Sequence, residues 1–396
     1  MGIGPSGWKG DKMFDKRSVI IKDGTKLSFD YVPKNLVHRE EHMRRLEMLF
    51  RPVFENGRSE TAFLIGSVGT GKTATAKRFC DNLIQHGSKT GVPVECIIVN
   101  CRHRSTESTV LLQLVRHYDP AYAERGFSPS EMLVSLKKHI EKNKSRVIIV
   151  LDEADIMLKK SSNLVYQLSR FSEESINHSV SLSLVMISQE NIFDLLDEAS
   201  ASTFRRSNAV RFDKYTRSEL RSIVEARVEE ALSTGSMNDD AIDLIADIAS
   251  EWGDARLAIE LLDKAARIGE ESDGGTVTAE EVRGANAMTH GSAALESKLN
   301  SLDMNHKITL LSIARSIKSK AYVNIGASEK TYGVVCEEYN IQARKHTQYW
   351  TYVQNLEKLG LVTTKVETEG NNGRTTLISL PDISSKALAE KLEELI

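Results

Sequence analysis

Residues 66–73 have the residue types and the spacing of a phosphate-binding loop. They read Gly-Ser-Val-Gly-Thr-Gly-Lys-Thr, which matches the pattern G-x-x-x-x-G-K-[ST]. The glycines let the backbone wrap closely around a polyphosphate, Lys72 would reach the β- and γ-phosphates, and the Thr73 hydroxyl would hold Mg²⁺. The pattern therefore predicts a nucleotide site, and its residues are Gly66, Ser67, Val68, Gly69, Thr70, Gly71, Lys72, Thr73 and Ala74.

The flanking residues predict the elements that position this loop. Residues 61–65 read as a buried strand that runs into the loop, and residues 73–83 carry apolar side chains at helical spacing. A helix that leaves such a loop presents its N-terminus to the bound anion. This context argues against the alternative, a chance glycine-rich turn.

An acidic pair supplies the second chemical signal. Residues 146–151 are the most hydrophobic predicted strand, and Asp152 and Glu153 follow it directly. Ligands collect at the carboxyl ends of parallel strands, so we expect the pair to lie beside the loop. Asp152 would hold Mg²⁺ together with Thr73, and Glu153 would polarise an attacking water.

A third strand, residues 180–188, ends in Gln189-Glu190-Asn191. An amide at this point could touch the γ-phosphate or the water, and both Gln189 and Asn191 are candidates beside an ordinary strand-terminal turn. Further strands are predicted at 94–100 and at 209–212, the latter as an edge strand. Because strands and helices alternate over residues 55–213, the sequence predicts a parallel α/β sheet.

The rest of the chain predicts two further domains. Residues 214–295 are helical throughout, and residues 296–396 contain three helices followed by a hairpin, which is the order of a helix-turn-helix with a β wing. The predicted domains are therefore 1–213, 214–295 and 296–396.

The composition is ordinary for a soluble globular protein, and we expect an intracellular one. Its 396 residues suffice for two or three domains, and its net charge is −3. We find neither an apolar stretch of about 20 residues nor a signal-peptide core near the N-terminus. The four cysteines lack a metal-ligand spacing and are interpreted as reduced thiols. We expect a cytoplasmic, nucleoid-associated protein without a membrane partner.

These motifs together resemble the AAA+ ATPases. The features that carry the resemblance are the loop at 66–73, Asp152-Glu153 and Gly253-Asp254-Ala255-Arg256 in the helical region. Asp30-Tyr31-Val32-Pro33, His38-Arg39-Glu40 and Leu356-Glu357-Lys358-Leu359-Gly360-Leu361 are similar to one branch, the archaeal replication initiators. This branch is related to the largest subunit of the origin recognition complex and to the helicase-loading factor of the cell division cycle. The resemblance covers about residues 25–380 and implies an AAA+ P-loop sheet with a helical lid and a C-terminal winged helix.

The resemblance also implies roles for single residues in binding ATP or ADP. Arg256 matches the sensor-2 arginine that reaches from the lid to the γ-phosphate, and Gln189 stands where the family usually has a sensor-1 asparagine. The residues that resemble the family's adenine-contacting segment lie in the tract 31–39, and they are Tyr31, Val32, Pro33 and Arg39.

One departure concerns the arginine finger. The family has Asp-Pro-Arg and a later Ser-Arg, whereas this sequence has Leu-Asp-Glu-Ala-Ser at 196–200 and a basic pair at Arg205-Arg206. Arg205 is a candidate finger on a neighbouring subunit, and an edge-strand salt bridge is the alternative.

DNA contacts are predicted in two places. Residues 305–375 carry ten Lys or Arg against six acids, an excess of four in a chain that is acidic as a whole. In the third helix of this region, Trp350, Val353, Leu356 and Leu359 form an apolar stripe that we interpret as core, with DNA stacking by Trp350 as the minority alternative. The opposite face offers polar side chains for base edges, flanked by cations for the phosphate backbone, and the candidates are Arg344, Lys345, Thr347, Gln348 and Thr351. Arg374 at the wing would enter the minor groove.

The family's helical insertion corresponds to residues 102–128, where Arg104 and Arg116 could press on DNA or form a solvated surface.

The resemblance implies an ATP-dependent initiator that binds double-stranded origin DNA and promotes loading of the replicative helicase, in company with paralogous initiators. Hydrolysis would be slow and would act as a switch. Two alternatives stay open at this point. One is a winged-helix AAA+ or STAND-like ATPase that regulates transcription or signalling, and the other is a clamp-loader-type ATPase whose C-terminal domain serves assembly.

Overall fold

The structure, a computed structural model, describes residues 18–171, 180–272, 275–290, 293–368, 374–380 and 383–396. These residues form two compact units. The sheet unit comprises Val32–Thr216 and Trp252–Ala255, and the helical unit comprises the chain up to Tyr31, Arg217–Glu251 and Arg256–Ile396.

A five-stranded parallel sheet organises the sheet unit, as the sequence predicts. Its strands are β1 (Thr61–Gly66), β2 (Val94–Asn100), β3 (Arg146–Asp152), β4 (Ser181–Ser188) and β5 (Ala209–Phe212). Their order is β2-β3-β4-β1-β5, so the phosphate-loop strand β1 lies between β4 and the edge strand β5. β3 pairs with β4 on one side and β2 on the other.

Both faces of this sheet are buried, which explains why its central strands are aliphatic throughout. Val147, Ile149 and Leu151 of β3 face one core, and Ile148 and Val150 face the other. The helices of this unit are α1 (Glu40–Asn56), α2 (Lys72–Thr90), α3 (Glu107–Tyr118), α4 (Pro129–Asn143), α5 (Ala154–Leu158), α6 (Asn163–Ser169) and α7 (Glu198–Thr203). Helices α1 and α2 cover one face, and α3, α4 and α6 cover the other. Because the strands are all parallel, their carboxyl ends lie at a single edge of the sheet.

Four helices follow in the lid region, and they are α8 (Arg217–Ala231), α9 (Asp239–Ser250), α10 (Ala255–Glu271) and α11 (Ala279–His290). At the start of α11, Thr278 N–H and Oγ1 each donate to Glu281 Oε2 at 2.7 Å, which is the side-chain half of a capping box.

The N-terminal segment, residues 18–31, is fastened to these lid helices. The carboxylate of Glu270 accepts hydrogen bonds from the N–H groups of Val19 at 3.2 Å, Ile20 at 2.6 Å and Ile21 at 2.8 Å. The N–H groups of Lys22 and Asp23 both donate to Ala231 O at 2.9 Å. The Ile20 side chain, 1% exposed, is buried in this contact.

The winged-helix region begins at α12 (Ala293–Asn300). Its further elements are α13 (Met304–Ile317), β6 (Val323–Asn324), α14 (Ile325–Glu338), α15 (His346–Lys358), β7 (Thr363–Thr368), β8 (Arg374–Ser379) and α16 (Ser385–Leu395). The strands form an antiparallel sheet in the order β6-β8-β7. The predicted three helices and hairpin are confirmed; strand β6 and helix α16 were not predicted.

The predicted apolar stripe of α15 was wrong in part. Tyr349, Tyr352, Val353 and Leu356 are buried, whereas Leu359 is 41% exposed because the helix has already ended at Lys358. The Tyr349 ring can take an inward position because its hydroxyl lies 2.6 Å from Ser328 Oγ and is thus satisfied in the core. Trp350 is half-buried and packs against the same core.

An ion pair on α11, whose arginine is fully buried and whose glutamate is half-buried, joins the lid helices to the winged-helix region. Arg283, 0% exposed, donates from Nε to Leu380 O at 2.9 Å and from Nη1 to Lys318 O at 2.8 Å. Its Nη1 also lies 3.2 Å from Glu280 Oε2. Glu280 accepts in turn from three groups at the start of α16, which are Ser384 Oγ at 2.6 Å, Ser385 N at 3.1 Å and Lys386 N at 3.0 Å. We call Glu280 and Arg283 the lid–wing joint.

No helix in the described parts of the chain combines the length and apolar character needed to cross a membrane.

Candidate nucleotide and DNA sites

The phosphate loop lies between β1 and α2, as its sequence predicts. Gly69 and Gly71 have φ of +74° and +83°, a backbone region that glycine adopts without strain. Gly66 has another reason to be glycine, since a Cβ there would overlap the carbonyl oxygen of Phe212 on β5. Lys72, 8% exposed, points its ammonium into the loop and donates to Gly66 O at 2.7 Å and Ser67 O at 2.6 Å.

The two predicted metal ligands meet at the carboxyl edge of the sheet. Thr73 Oγ1 lies 3.0 Å from Asp152 Oδ2 and 3.2 Å from Oδ1. Asp152 is 7% exposed, and this burial raises the pKa of its carboxyl, while the hydrogen bond from Thr73 acts to lower it. The described residues contain no group of three or more acidic, His or Cys side chains gathered for a metal ion. One hydroxyl and one carboxylate nevertheless fit Mg²⁺, which takes few protein ligands and completes its shell with phosphates and waters.

Glu153, the predicted catalytic base, is held by two neighbours. It has φ of +53°, and its carboxylate accepts from Arg102 Nε at 2.7 Å and from Asn100 Nδ2 at 3.5 Å. Asn100 ends β2 next to β3, so its amide reaches the same sheet edge. The sequence prediction missed both partners; the signal that could have indicated Asn100 is its position as the polar last residue of an apolar strand.

Gln189 follows β4, which lies between β3 and β1. The strand order therefore places Gln189 at the edge that also carries Asp152 and the phosphate loop. Its side chain is exposed. Asn191, the other amide candidate, donates instead to Asp194 Oδ2 at 3.1 Å.

Arg39 lies against the phosphate loop. It is 4% exposed and donates to Thr70 O from both Nε, at 3.1 Å, and Nη2, at 2.9 Å. Its guanidinium carbon lies 3.7 Å from the ring centroid of Tyr215.

The other predicted base-contacting residues divide between the units. Val32 and Pro33 are half-buried in the sheet unit, whereas Tyr31 belongs to the helical unit. The guanidinium carbon of Arg227 lies 5.0 Å from the Tyr31 ring centroid. Burial and a hydrogen bond with Glu230 raise the pKa of Tyr31.

Two predicted arginines lie on exposed surfaces. Arg256 is the second residue of α10. The last segment of the helical unit, Arg256–Ile396, begins at this residue. Arg205 precedes β5 in the sheet unit and, among the residues that the structure describes, forms no ion pair. Burial raises the pKa of nearby Glu60, and the charges of Arg58 and Arg205 act against that rise.

The predicted DNA-contacting side chains of the winged helix share one exposed surface. This row lies on α15 and directly before it, and it comprises Arg344, Lys345, Thr347, Gln348 and Thr351. Arg374, also exposed, opens β8, and wing residues 369–373 lie outside the described residues. His346 Nδ1 lies 2.7 Å from Glu329, so a carboxylate borders the row.

Arg104 and Arg116 lie at a different place, in a cleft of about 460 Å³ between β2 and α3. Arg104 Nε donates to Gln113 Oε1 at 3.1 Å. Arg116 donates to Tyr122 O at 3.0 Å and to Glu124 Oε1 at 2.9 Å. Both side chains therefore have protein partners, and Arg104 is exposed.

Three family models match the chain. They are the AAA domain at residues 57–196, the Cdc6 AAA+ ATPase-type lid domain at 221–287 and the CDC6 C-terminal winged helix domain at 297–389. The ORC1-type DNA replication protein of Pyrococcus abyssi is 31% identical over 93% of this chain and 90% of that protein. ORC1-type DNA replication protein 2 of Sulfurisphaera tokodaii is 29% identical over 98% of this chain and 93% of that protein.

Two solved structures are also similar. Cdc6p from Pyrobaculum aerophilum has a TM-score of 0.79 and 26% identity, covering 95% of this chain and 98% of that chain. The Aeropyrum pernix ORC1 protein in complex with DNA has a TM-score of 0.64 and 30% identity, covering 96% and 98%.

Proposed function

Because the chain belongs to the ORC1/Cdc6 family of AAA+ DNA replication proteins, we propose that it is an ATP-dependent initiator that binds double-stranded origin DNA and promotes loading of the replicative helicase. The observation that carries this proposal is the exposed row of polar and basic side chains on α15 and directly before it. The chain that bears this row is 30% identical to the Aeropyrum pernix ORC1 protein, whose structure was solved in complex with DNA. The polar side chains of Thr347, Gln348 and Thr351 would form hydrogen bonds with base edges. Arg344 and Lys345 would contact the phosphates.

Replacing Arg344 and Arg374 together with glutamine should weaken binding of origin DNA and flatten its salt dependence. Each cation that no longer neutralises a DNA phosphate, whether from the backbone side or from the minor groove, removes about 0.9 from the slope of log K against log salt, so the double change removes about two. Titrations of a fluorescent origin duplex at several salt concentrations would measure the slope. The matched control is the double change Arg51→Gln and Arg58→Gln, which removes two exposed arginines from the sheet unit. If the Arg344 and Arg374 variant binds like this control at every salt concentration, the winged helix is not the DNA-binding element.

The nucleotide part of the proposal assigns ATP and Mg²⁺ to the phosphate-loop edge. Lys72 would contact the β- and γ-phosphates, and Thr73 and Asp152 would hold Mg²⁺, which when bound neutralises phosphate charge. Their support is the direct contact between Thr73 and Asp152. Gln189 would contact the γ-phosphate or the water, Arg256 would act as the sensor of the γ-phosphate, and Arg205 would act on a neighbouring subunit. Tyr31, Val32 and Pro33 would border the base.

Hydrolysis in this proposal is slow, and the ion pair at Glu153 gives a reason. A carboxylate that accepts from Arg102 at 2.7 Å is less available to a water. Arg102→Ala should therefore raise the rate of ATP hydrolysis several-fold while leaving the Kd for ATP within about twofold. Phosphate release at saturating ATP would measure the rate, and His103→Ala, an exposed change one residue away, is the control. An unchanged rate would show that the ion pair does not restrain Glu153.

Helicase loading and a role restricted to transcription can be separated directly. The proposal expects purified protein to protect origin DNA from nuclease digestion. It also expects recruitment of the replicative helicase to that DNA only when ATP is present. Protection of promoters alone, with no helicase recruitment at any nucleotide state, would favour the transcriptional alternative.

A further inference from the structure

The segment that leads into α10 contacts the phosphate loop on one side. The N–H of Ala255 donates to Gly69 O at 3.1 Å. The carboxylate of Asp254 lies so close to Gly69 that a Cβ at Gly69 would overlap it. A negatively charged group is thus built into the wall of a loop whose expected ligand is itself negative.

Arg39 holds the loop from another direction through hydrogen bonds. Two nitrogens of its planar guanidinium, Nε and Nη2, donate to the same carbonyl oxygen, that of Thr70. A lysine, with a single side-chain nitrogen, could not make this pair of hydrogen bonds. The Tyr215 ring supports the guanidinium, and the Tyr215 hydroxyl lies against Gly71, where a Cβ would come within 2.6 Å of it. Arg39, at 4% exposed, is occupied by the loop backbone.

The contacts of residues 254–255 with Gly69 and those of Arg39 with Thr70 are connected to each other. The N–H of Tyr215 donates to Gly253 O at 3.2 Å, and Gly253 directly precedes Asp254. The contacts therefore close a ring that runs from Thr70 through Arg39, Tyr215 and residues 253–255 back to Gly69. All members of this ring, which we call the loop brace, belong to the sheet unit.

We propose that Arg39 and Asp254 are positioning residues for nucleotide binding, with Arg39 holding the phosphate loop in shape through Thr70 and Asp254 reducing the preference for ATP over ADP. This inference rests on the proposed ATP site. ATP carries one more negative charge than ADP, and a carboxylate beside the loop repels the larger charge more strongly. Arg39 acts on the loop backbone, so its contribution is the same for every nucleoside triphosphate.

The test compares dissociation constants of ATP, GTP and ADP, with Mg²⁺, for the full chain and its variants. Arg39→Gln leaves the buried Thr70 carbonyl without its two donors, and we expect the affinities for ATP and GTP to fall together by about tenfold or more. Their ratio should stay within about twofold of the parent value. Asp254→Asn keeps the shape and removes the charge, and we expect the affinity ratio of ATP to ADP to rise roughly three- to tenfold, less at high salt.

Matched controls are Arg44→Gln, an exposed arginine on α1, and Asp263→Asn, a surface acid on α10 that pairs with Arg267. The proposal is overturned if Arg39→Gln changes the ratio of ATP to GTP affinity while GTP binds as before, because Arg39 would then contact the base. It is equally overturned if Asp254→Asn matches Asp263→Asn in the ratio of ATP to ADP affinity. If Arg39→Gln does not fold, as judged by circular dichroism, the Asp254 comparison decides alone.

Failure of the brace is distinguishable from failure of the ATP site. A parent protein that binds no ATP, or a Lys72→Ala variant that binds it normally, would refute the site itself. A parent that binds ATP and loses it in Lys72→Ala, with both ratio tests negative, would refute only the brace.

Discussion

Replacing Arg283 with methionine should lower the free energy of unfolding of the helical unit by roughly 3–5 kcal/mol. The side chain is fully buried and donates to main-chain oxygens of Leu380, Lys318, Lys320 and Ala321. Methionine fills much of the volume but donates nothing, so these buried carbonyls lose their partners. The half-buried carboxylate of Glu280 also loses its counter-charge, which adds to the cost of the unpaired carbonyls.

Two measurements test this prediction: unfolding of the protein in urea, and the hydrogen-exchange rates of the Ala321 and Ser385 amides. The Ser385 N–H donates to Glu280 and the Ala321 N–H to Asp240, so both lie at the joint. Arg267→Met is the matched control, since Arg267 is an exposed lid arginine whose pair with Asp263 contributes about 0.3–0.5 kcal/mol. Exchange at both amides that stays at the parent rate in Arg283→Met would show that the joint is not a source of stability.

The joint also predicts a pH dependence. Burial alone would raise the pKa of Glu280, but hydrogen bonds from Lys386, Ser384 and Ser385 at the start of α16 hold it below its usual value. A carboxyl whose pKa is lower in the folded state stabilises the protein above the unfolded pKa of about 4.3, and this stabilisation is lost as the pH falls. The stability advantage of the parent over Glu280→Gln should therefore be full near neutral pH and shrink in acid.

Replacing Lys72 with alanine should abolish ATP binding, with the affinity falling by about 100-fold or more. The ammonium is held 2.7 Å and 2.6 Å from two loop carbonyls, in the interior of the loop where phosphates are expected. Alanine supplies neither the charge nor the reach, and the remaining backbone N–H groups act alone. Isothermal titration with ATP and Mg²⁺ would measure the loss.

Two comparisons make the Lys72 result specific. Lys77→Ala removes a lysine from the same helix, five residues further on, and should bind ATP normally. Lys72→Ala should still bind duplex DNA without nucleotide, and with the parent salt slope, because the row proposed to contact DNA lies in the helical unit. Normal ATP binding by Lys72→Ala would remove the nucleotide assignment.

The sequence predicted those parts of the molecule whose signal is local. The loop at 66–73 and the pair Asp152-Glu153 each depend on a short pattern and the strand before it, and the structure brings Thr73 to Asp152 as the sheet topology requires. Leu359 was misplaced for a local reason as well, because the helical spacing was extended one residue past the end of α15.

What the sequence could not predict depends on contacts between distant residues. Arg283 reads as an ordinary helix arginine, and only the path of the chain surrounds it with the carbonyls of Lys318, Lys320, Ala321 and Leu380. Arg102 reads as part of an insertion, and its pairing with Glu153 spans 51 positions. Arg39 was assigned to the base because its tract resembles the family's adenine-contacting segment; its contact with Thr70 depends on the fold, and its role stays a prediction.

The docking of the N-terminal segment has a consequence for synthesis on the ribosome. Val19 and Ile20 are made early, but Glu270, which accepts from both, follows 250 residues after Ile20. At roughly 5–20 residues per second this interval is about 12–50 s. The apolar side chain of Ile20 is therefore without its burial site while residues 32–216 of the sheet unit can already fold. Chaperones that shield short apolar stretches on nascent chains would have their longest opportunity at this end of the protein.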